Sequence, residues 1–312
     1  MQTVLSVVIA AYNAEGTLGT QLAALVGQAP ELAWEVVVAD NRSTDSTIAV
    51  ANSFADRLDL RVVPAPEKPN AAHARNVAVA TSQAPWIAFV DADDMVAPGW
   101  VEAMVRGLQE HQFVAGRLDA ERLNTPAVFR SRPVPQSQEL QWWPVGPPLP
   151  HAGGGNLGIH RAVYEAVGGF DEDLVGLQDV DFCWRVQLTG VPLHFLPDAT
   201  LHVGLRSSFR SMWRQGWNYG AAQTEIERRF AGVTSADIPM ELGVARPASA
   251  QHTFRKIDVL LGMVRNVRRP GALVWQVAWH MGHHLGARGG RGRTIPRAAT
   301  GTRPTPPPPT VR

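Results

Sequence analysis

Apolar and polar positions form a regular block pattern along the first 120 residues. Short runs rich in apolar and β-branched residues alternate with segments whose apolar residues recur at helical spacing. The strand-like runs cover 5–12, 34–40, 60–66, 86–91 and 113–119, and the helical segments cover 15–28, 45–56, 70–82 and 98–110. Strands that alternate with helices predict an α/β fold with a mostly parallel sheet and helices on both faces.

The pattern is less regular in the second half of the chain. Residues 121–152 are irregular and Pro-rich, which predicts a lid or binding loop. A surface excursion whose tryptophans only pack is an equal alternative. A Gly-rich turn then leads into a short strand and a helix, 177–190 has helical spacing, and 192–203 is strand-like. Residues 204–287 are predicted to be largely helical.

These segments divide the chain into three expected parts. The first is an α/β domain over residues 1–230, with halves 1–120 and 121–230, followed by a helical extension over 231–287. Residues 288–312 are basic, rich in Gly and Pro, and too low in complexity to bury a core, so we expect a disordered tail.

Composition favours a soluble globular protein. The chain has 312 residues, of which 45% are hydrophobic and 18% charged, and no window approaches the roughly 18 uninterrupted apolar residues of a membrane span. The first residues are typical of a β-strand rather than a signal peptide, because no positive segment precedes the apolar run. Cys183 is the single cysteine, which excludes an intrachain disulfide and favours a cytoplasmic location.

Charge is distributed unevenly along the chain. Residues 255–312 carry eleven basic residues and one acidic residue, whereas residues 1–254 carry a formal charge of −9. A basic end on an acidic body suggests an anionic partner. One helical segment in this basic region contains Trp275 and Trp279 with arginines nearby, a composition that favours binding to an anionic membrane surface. Packing of this segment against the α/β domain is the alternative that the sequence leaves open.

Candidate chemistry lies at the carboxyl ends of the predicted strands. Asp91, Asp93 and Asp94 follow the fourth strand, and Asn13 and Asp40 follow the first and second. In an open sheet these ends meet at one crevice where ligands bind. Asp91 and Asp93 point to the same side of an extended chain, and their hard oxygen ligands favour Mg2+ or Mn2+, which bind phosphate oxygens as well.

Other nucleotide-binding classes are disfavoured. No G-x-G-x-x-G follows the first strand and no G-x-x-x-x-G-K-[ST] occurs in the chain, so neither a Rossmann dehydrogenase nor a P-loop enzyme is expected. The crevice is therefore predicted to hold a metal and a diphosphate without a glycine cradle.

Six blocks in order resemble the family 2 glycosyltransferases of the GT-A fold. The first four are SVVIAAYNAEGTL (6–18), VVVADNRSTDST (36–47), HARNVAVATS (73–82) and WIAFVDADD (86–94). Two more, GGGNLGIHRAVYEAVGGFDEDL (153–174) and QDVDFCWRVQLTGVPLHFLPDATLHV (178–203), resemble the acceptor half of the family. The resemblance covers roughly residues 4–220. It implies an inverting transferase that uses a nucleotide-diphosphate sugar and Mn2+ or Mg2+.

The resemblance implies a role for each matching residue. Nine residues are expected to bind the donor: Ala11, Tyr12, Asn13, Glu15, Asp40, Arg75, Asp91, Ala92 and Asp93. Within that set, Asp40 is expected to accept a hydrogen bond from the base. Asp93, with Asp91 and His202, is expected to hold the metal, and Asp179 to act as catalytic base. Acceptor contacts are expected from Gly155, Asn156, Gln178, Trp142 and Trp143, with a turn-stabilising role equally open for Asn156.

Three residues depart from the family pattern. Gln178 replaces the acidic residue before the base, Arg42 replaces the glycine of the family's DNGSTD, and Asn70 stands where a glycine often precedes ARN. Asn tolerates a left-handed backbone better than most residues, so Asn70 is expected to be harmless. Arg42 indicates either a different turn or a cation near the base or acceptor. Asp181 competes with Asp179, and a helix would point the two to different faces.

The expected donor is a UDP-, dTDP- or GDP-sugar, and the acceptor is a hydroxyl compound, with a lipid-linked one left open. We expect no nucleic-acid partner. The location is cytoplasmic, with a peripheral position at the inner face of the membrane left open. The absence of a QxxRW motif after the base favours transfer of a single sugar over polymer synthesis. The alternatives are a catalytically silent nucleotide-sugar-binding module and, as the weaker one, a metal-dependent phosphotransferase.

Overall fold

The computed structural model describes residues 2–28, 30–130, 134–143, 146–242 and 270–285. The strands are β1 (Leu5–Ala11), β2 (Trp34–Asp40), β3 (Leu60–Pro64), β4 (Trp86–Asp91), β5 (Met95–Val96), β6 (Phe113–Asp119), β7 (Gln141–Trp142), β8 (Pro150–His151), β9 (Asn156–His160) and β10 (His194–His202). The helices are α1 (Leu18–Val26), α2 (Thr47–Asn52), α3 (Ala71–Thr81), α4 (Trp100–Glu110), α5 (Pro126–Phe129), α6 (Arg161–Ala166), α7 (Gln178–Leu188), α8 (Phe209–Phe230) and α9 (Pro270–Leu285), with 3-10 turns at Ser235–Asp237 and Met240–Leu242.

One eight-stranded sheet organises the described part of the chain. Its strand order is β3-β2-β1-β4-β9-β6-β10-β5, and β7 and β8 form a separate pair. The first four strands are mutually parallel, and β6 and β10 are also parallel. Within this sheet, the antiparallel pairs all involve β9 or β5. The expected α/β fold with a mostly parallel sheet is confirmed.

Helices cover both faces of this sheet, as the alternating pattern predicted. Alternate residues of β1 belong to different cores: Val7 and Ile9 lie in one buried cluster and Val8 in the other. The first cluster includes residues of α1, α2 and α4, and the second includes residues of α3, α6 and α7. A strand buried on both faces requires a continuous apolar run, which is what the sequence of β1 provides.

The antiparallel strand β9 joins the two halves of the sheet. It pairs with β4 on one side and with β6 on the other. Asn156, at its start, is fully buried. Its side-chain amide accepts a hydrogen bond from Trp100 Nε1 at 2.9 Å and donates to the carbonyls of Arg117 at 2.9 Å and Ala199 at 3.0 Å. This one amide therefore ties β9 to α4, β6 and β10.

Helices α8 and α9 pack against each other through glycines. A Cβ on Gly216 or Gly220 of α8 would collide with the backbone carbonyl of Trp275 or Trp279 of α9. Packing of this segment, one of the two alternatives that the sequence left open, is therefore observed. Within the described residues, no helix has both the length and the hydropathy that a membrane crossing needs. The predicted tail at 288–312 and part of the predicted extension, 243–269, lie outside the described residues.

Candidate active site

The loops after β1 and β2 are held together by a ladder of hydrogen bonds. Asn13 has a left-handed backbone with φ 46°, and its Oδ1 accepts from the backbone N–H of Thr44 at 2.8 Å. Its own N–H donates to Ser43 Oγ at 2.9 Å, and Glu15 Oε2 accepts from the N–H of Ser46 at 2.9 Å. The side chains of Asn13 and Glu15 thus fix the shape of this end of the crevice. Tyr12, beside them, is 63% exposed.

Asp40 carries an unpaired oxygen at the end of β2. It stands in register with Ala11 of β1 and is 7% exposed. Oδ2 accepts from the backbone N–H of Ser43 at 3.3 Å, whereas Oδ1 is buried with no hydrogen-bond partner among the described residues. A buried carboxylate oxygen without a donor is costly. Asp40 therefore offers an acceptor that a ligand N–H would satisfy.

Arg42 occupies a left-handed turn after β2. Its φ is 70°, in the left-handed region that disfavours side chains. The guanidinium folds back, and Nε donates to the carbonyl of Pro66 at 2.5 Å. The turn is left-handed at this position and the guanidinium is bound to backbone, whereas a position of this cation near the base or the acceptor stays a prediction.

Asn70 is harmless for a different reason than we expected. Its backbone is extended, with φ −153°, so no left-handed conformation is required. Its Oδ1 accepts from the N–H of His73 at 2.8 Å as the N-cap of α3, and Nδ2 donates to the carbonyl of Glu172 at 2.8 Å. The side chain thus caps the helix that carries Arg75.

Three carboxylates cluster where β4 ends. Asp91, Asp93 and Asp94 each place an oxygen within 4.8 Å of the others. Burial, and then the charge of Asp91, raise the pKa of Asp93. Burial, and then the charges of Asp91 and Asp93, raise the pKa of Asp94 well above its usual value, although its Oδ1 accepts from the N–H of Gly204 at 3.0 Å. The cluster holds more negative charge than its surroundings balance.

Two arginines partly offset this charge. Arg75 of α3 is buried, and its Nη2 lies 2.6 Å from Asp91 Oδ1. Arg206, which follows β10, is half-exposed and places Nη1 3.4 Å from Asp93 Oδ2. The sequence pointed to Arg75 but not to Arg206, which lies in no recognised block.

A divalent cation fits this cluster. Its three carboxylates supply only hard oxygen ligands, the donor set that Mg2+ and Mn2+ prefer. Burial, and then the charges of the neighbouring carboxylates, raise the pKa of Asp93 and of Asp94, and a bound cation would offset both effects. The cluster includes Asp94, which the sequence did not assign to the metal. His202 lies outside it; the nearest acidic partner found for its ring is Asp119, with Nδ1 to Oδ2 at 3.7 Å.

The Gly-rich turn before β9 touches both predicted catalytic regions. A Cβ on Gly155 would lie 2.5 Å from Asp91 Oδ2, so only glycine allows this approach. The backbone N–H of Gly154 donates to Asp179 Oδ2 at 3.1 Å. Two consecutive glycines therefore bring the end of β4 and the start of α7 together.

Asp179 and Asp181 have different environments, as helical geometry required. Burial raises the pKa of Asp179, although the Gly154 N–H and the charge of Arg75 oppose that shift. Asp181 is fully buried and accepts from Arg185 Nε at 2.7 Å and from Arg229 Nη1 at 2.8 Å. Both oxygens of Asp181 are thus engaged in ion pairs inside the protein, whereas Asp179 lies beside the crevice.

Tyr219 is a further candidate for the site that sequence reasoning missed. Burial, and then the charges of Asp179 and Asp91, raise the pKa of Tyr219 on α8 to about 12, so its hydroxyl remains a hydrogen-bond donor near both carboxylates. Its ring meets Trp275 of α9 edge-on, with the ring centroids 6.3 Å apart. Because α8 lies beyond the recognised blocks, no sequence signal marked this residue.

The remaining predicted residues make contacts outside the acidic cluster. Ala92 is buried in a core cluster. Gln178 Nε2 donates to the carbonyl of Leu174 at 2.7 Å. Trp142 is half-buried in β7, and Trp143 packs on His151, with ring centroids 5.6 Å apart. Asn156 has the stabilising role that the sequence left open, since its amide is fully enclosed and hydrogen-bonded.

Comparison with known proteins agrees with this geometry. The sequence profile described as "Glycosyl transferase family 2" matches residues 6–181, more than half of the chain. Validoxylamine A glucosyltransferase of Streptomyces hygroscopicus subsp. limoneus is 28% identical over 232 residues, covering 61% of this chain and 49% of that protein. The pre-mycofactocin glycosyltransferase of Mycobacterium tuberculosis H37Rv is 26% identical over 184 residues, covering 57% and 39%. The chain thus spans about half the length, or less, of these relatives.

Solved structures share the fold. The mannosyltransferase PcManGT of Pyrobaculum calidifontis, in complex with GDP-Man and Mn2+, aligns with a TM-score of 0.63 at 20% identity, covering 92% of this chain and 88% of that one. TarS residues 1–349 of S. aureus, in complex with UDP-GlcNAc, aligns with a TM-score of 0.54 at 18% identity, covering 89% and 91%. The GT-A fold implied by the sequence blocks is confirmed.

Proposed function

Since this chain belongs to glycosyl transferase family 2, we propose that it transfers a single sugar from a nucleotide-diphosphate sugar to a hydroxyl acceptor by single displacement. The observation that carries the proposal is the Gly154–Gly155 turn, which touches Asp91 on the donor side and Asp179 on the acceptor side. One crevice thus has an acidic edge suited to a cation and a candidate base within the same few residues.

The donor is proposed to lie along the ends of β1, β2 and β4. The unpaired Oδ1 of Asp40 suits a base N–H, and the exposed ring of Tyr12 suits stacking on the nucleoside. Neighbours in the fold are described in complex with UDP-GlcNAc or GDP-Man. We propose a UDP-, dTDP- or GDP-sugar for this chain.

A Mn2+ or Mg2+ ion is proposed to be held by Asp93, with Asp91 and Asp94 beside it and His202 as a further candidate ligand. When bound, such an ion supplies positive charge that stabilises the leaving diphosphate. Arg75 holds Asp91 through an ion pair of 2.6 Å.

Asp179 is proposed to be the base. As the acceptor oxygen attacks the anomeric carbon, Asp179 takes the hydroxyl proton, a bond forms between that oxygen and the carbon, and the bond from the carbon to the diphosphate oxygen breaks. Burial raises the pKa of Asp179, which makes it a stronger base than an exposed aspartate. A single displacement of this kind inverts the configuration at the anomeric carbon.

We propose that the acceptor binds beside Gly155, Gln178 and Tyr219. Trp142 of β7 and Trp143, the residue after it, are proposed to lie on the same side.

A membrane-facing acceptor is supported by the first turns of α8. Phe209 and Trp213 are 59% and 39% exposed, Arg210 and Arg214 flank them, and residues 199–224 contain no acid. Exposed aromatics interleaved with arginines suit an anionic bilayer surface.

The experiment that tests the function measures release of nucleoside diphosphate from a panel of UDP-, dTDP- and GDP-sugars with Mn2+, with and without candidate hydroxyl acceptors. Acceptor-stimulated release that is lost in Asp179→Asn supports the proposal. Donor binding without turnover on any acceptor favours a silent binding module instead. Phosphate release from a generic phosphoester favours a phosphotransferase.

A further inference from the structure

Arg206 forms an unusual contact with the acidic cluster. Its guanidinium Nη1 lies 3.4 Å from Asp93 Oδ2, the carboxylate that the proposed function assigns to the metal. The arginine side chain is 53% exposed and that of Asp93 39%. The solvent-accessible guanidinium of Arg206 is thus paired with the carboxylate that is proposed to bind the metal ion.

The contrast with Arg75 shows that the two arginines are held differently. The Arg75 side chain is 8% exposed, lies 2.6 Å from Asp91, and has its guanidinium carbon 5.3 Å from the ring centroid of Phe170. Arg206 lies between β10 and α8, in a segment without regular secondary structure. Arg75 is fixed by its surroundings, whereas the Arg206 ion pair is long and solvent-accessible.

The backbone near Arg206 is nevertheless anchored to the cluster. The N–H of Gly204 donates to Asp94 Oδ1 at 3.0 Å, and a Cβ on Gly204 would lie 3.0 Å from the carbonyl oxygen of Asp93. Arg206 follows two residues later. The anchor therefore keeps the guanidinium within reach of Asp93 without locking the side chain.

We propose that Arg206 is an exchangeable counter-cation that pairs with Asp93 when no divalent cation is bound and competes with that cation for the carboxylate. Two positive groups at one carboxylate repel each other, so occupation of the site displaces the guanidinium. The displaced arginine then lies beside a site that receives an anionic diphosphate. The proposal rests on the proposed function only in taking Asp93 as a cation ligand.

The test measures Mn2+ binding alone, without nucleotide, by electron paramagnetic resonance of the free ion. The variants are Arg206→Gln, Arg206→Lys and the matched control Arg210→Gln. Arg210 is an exposed arginine on α8 that makes no ion pair among the described residues, so its loss changes the net charge equally. Since exposed ion pairs contribute about 0.2–1 kcal/mol, Arg206→Gln should bind Mn2+ up to about five-fold more tightly than Arg210→Gln.

The conservative variant separates competition from a structural role. Arg206→Lys keeps a cation on the same segment, so its Mn2+ affinity should stay closer to that of the wild type than the affinity of Arg206→Gln does. Equal affinity of Arg206→Gln and Arg210→Gln, including no binding by either, would overturn the proposal. Weaker binding by Arg206→Gln would overturn it as well. Tighter Mn2+ binding by Arg206→Gln than by Arg210→Gln in a chain that transfers no sugar would uphold the exchange and reject the proposed function.

Discussion

The guanidinium Nη2 of Arg75 lies 2.6 Å from Oδ1 of Asp91, and this ion pair connects α3 to the end of β4. The charge of the same arginine also lowers the pKa of Asp179, against the larger effect of burial. A single buried cation therefore stands between the donor-side carboxylate and the candidate base. Its position lets two acids share one crevice without full mutual repulsion.

Substitutions of Asp179 and Asp181 should affect different properties, the first the rate of transfer and the second the stability of the fold. Asp179→Asn should lower the rate of transfer by about 10²- to 10⁴-fold, the usual contribution of a general base, and leave donor binding intact. The measurements are steady-state transfer and nucleotide binding by calorimetry. Transfer at the wild-type rate in Asp179→Asn would remove this residue from the mechanism.

Asp181→Asn should act on folding instead. It breaks a fully buried ion pair and leaves Arg229 without one of its carboxylate partners, a change that costs about 3–5 kcal/mol. Urea unfolding measures the loss. A free energy of unfolding equal to that of the wild type would show that Asp181 does not stabilise the junction of α7 and α8.

Gly155 should be intolerant of even a methyl group. In Gly155→Ala the new Cβ would lie 2.5 Å from Asp91 Oδ2 and would push that carboxylate away from the cluster. Gly153→Ala is the matched control in the same turn, because its nearest atoms would be 3.9 Å away. We expect weaker Mn2+ binding in the first variant and wild-type binding in the second. Equal Mn2+ binding by Gly155→Ala and Gly153→Ala would contradict this role for the turn.

His151 should make the protein sensitive to acid. Burial lowers the pKa of His151 from 6.5 to about 3, so the unfolded chain binds more protons between these values and stability falls as pH drops through that window. His151→Gln removes this contribution. The free energy of unfolding of this variant should therefore fall less steeply than that of the wild type as the pH drops below 6.5. The two slopes should differ by at most about 1.4 kcal/mol per pH unit. Parallel pH profiles of the two proteins would refute the prediction.

Asn70 should stabilise α3 through its side chain rather than through its backbone. Loss of an N-cap costs about 1 kcal/mol on substitution by Ala and only a few tenths by Gly. Asn70→Ala should therefore lower the free energy of unfolding more than Asn70→Gly does. The reverse order would contradict the capping role, because the hydrogen bond to the Glu172 carbonyl is lost in both variants and cannot favour either one.

The sequence predicted the elements that local patterns encode. The strands and helices of the first 120 residues, Asp40 at a strand end and the opposite environments of Asp179 and Asp181 all follow from periodicity and spacing. These features depend on neighbours in the chain, and a short window of sequence contains them.

Other features depend on segments far apart in the chain and left no local signal. The insertion of β9 between β4 and β6, and the enclosed amide of Asn156 that fixes it, arise from tertiary packing. Asp94 is an exception: it stands beside Asp93 in the sequence, but sequence reasoning did not assign it to the metal. Arg206 and Tyr219 reach the site from a loop and a helix beyond the recognised blocks, where sequence spacing cannot indicate proximity.

The central claim is that this crevice binds a nucleotide-diphosphate sugar together with a divalent cation. Thermal unfolding with a panel of UDP-, dTDP- and GDP-sugars, each with Mn2+ or with EDTA, tests it most directly. A ligand at 100 times its Kd adds about 2.7 kcal/mol to the stability of the folded state. We expect an increase in Tm with one nucleotide, dependent on Mn2+ and lost in Asp93→Ala. No increase with any donor, or an increase that survives both EDTA and Asp93→Ala, would contradict the account.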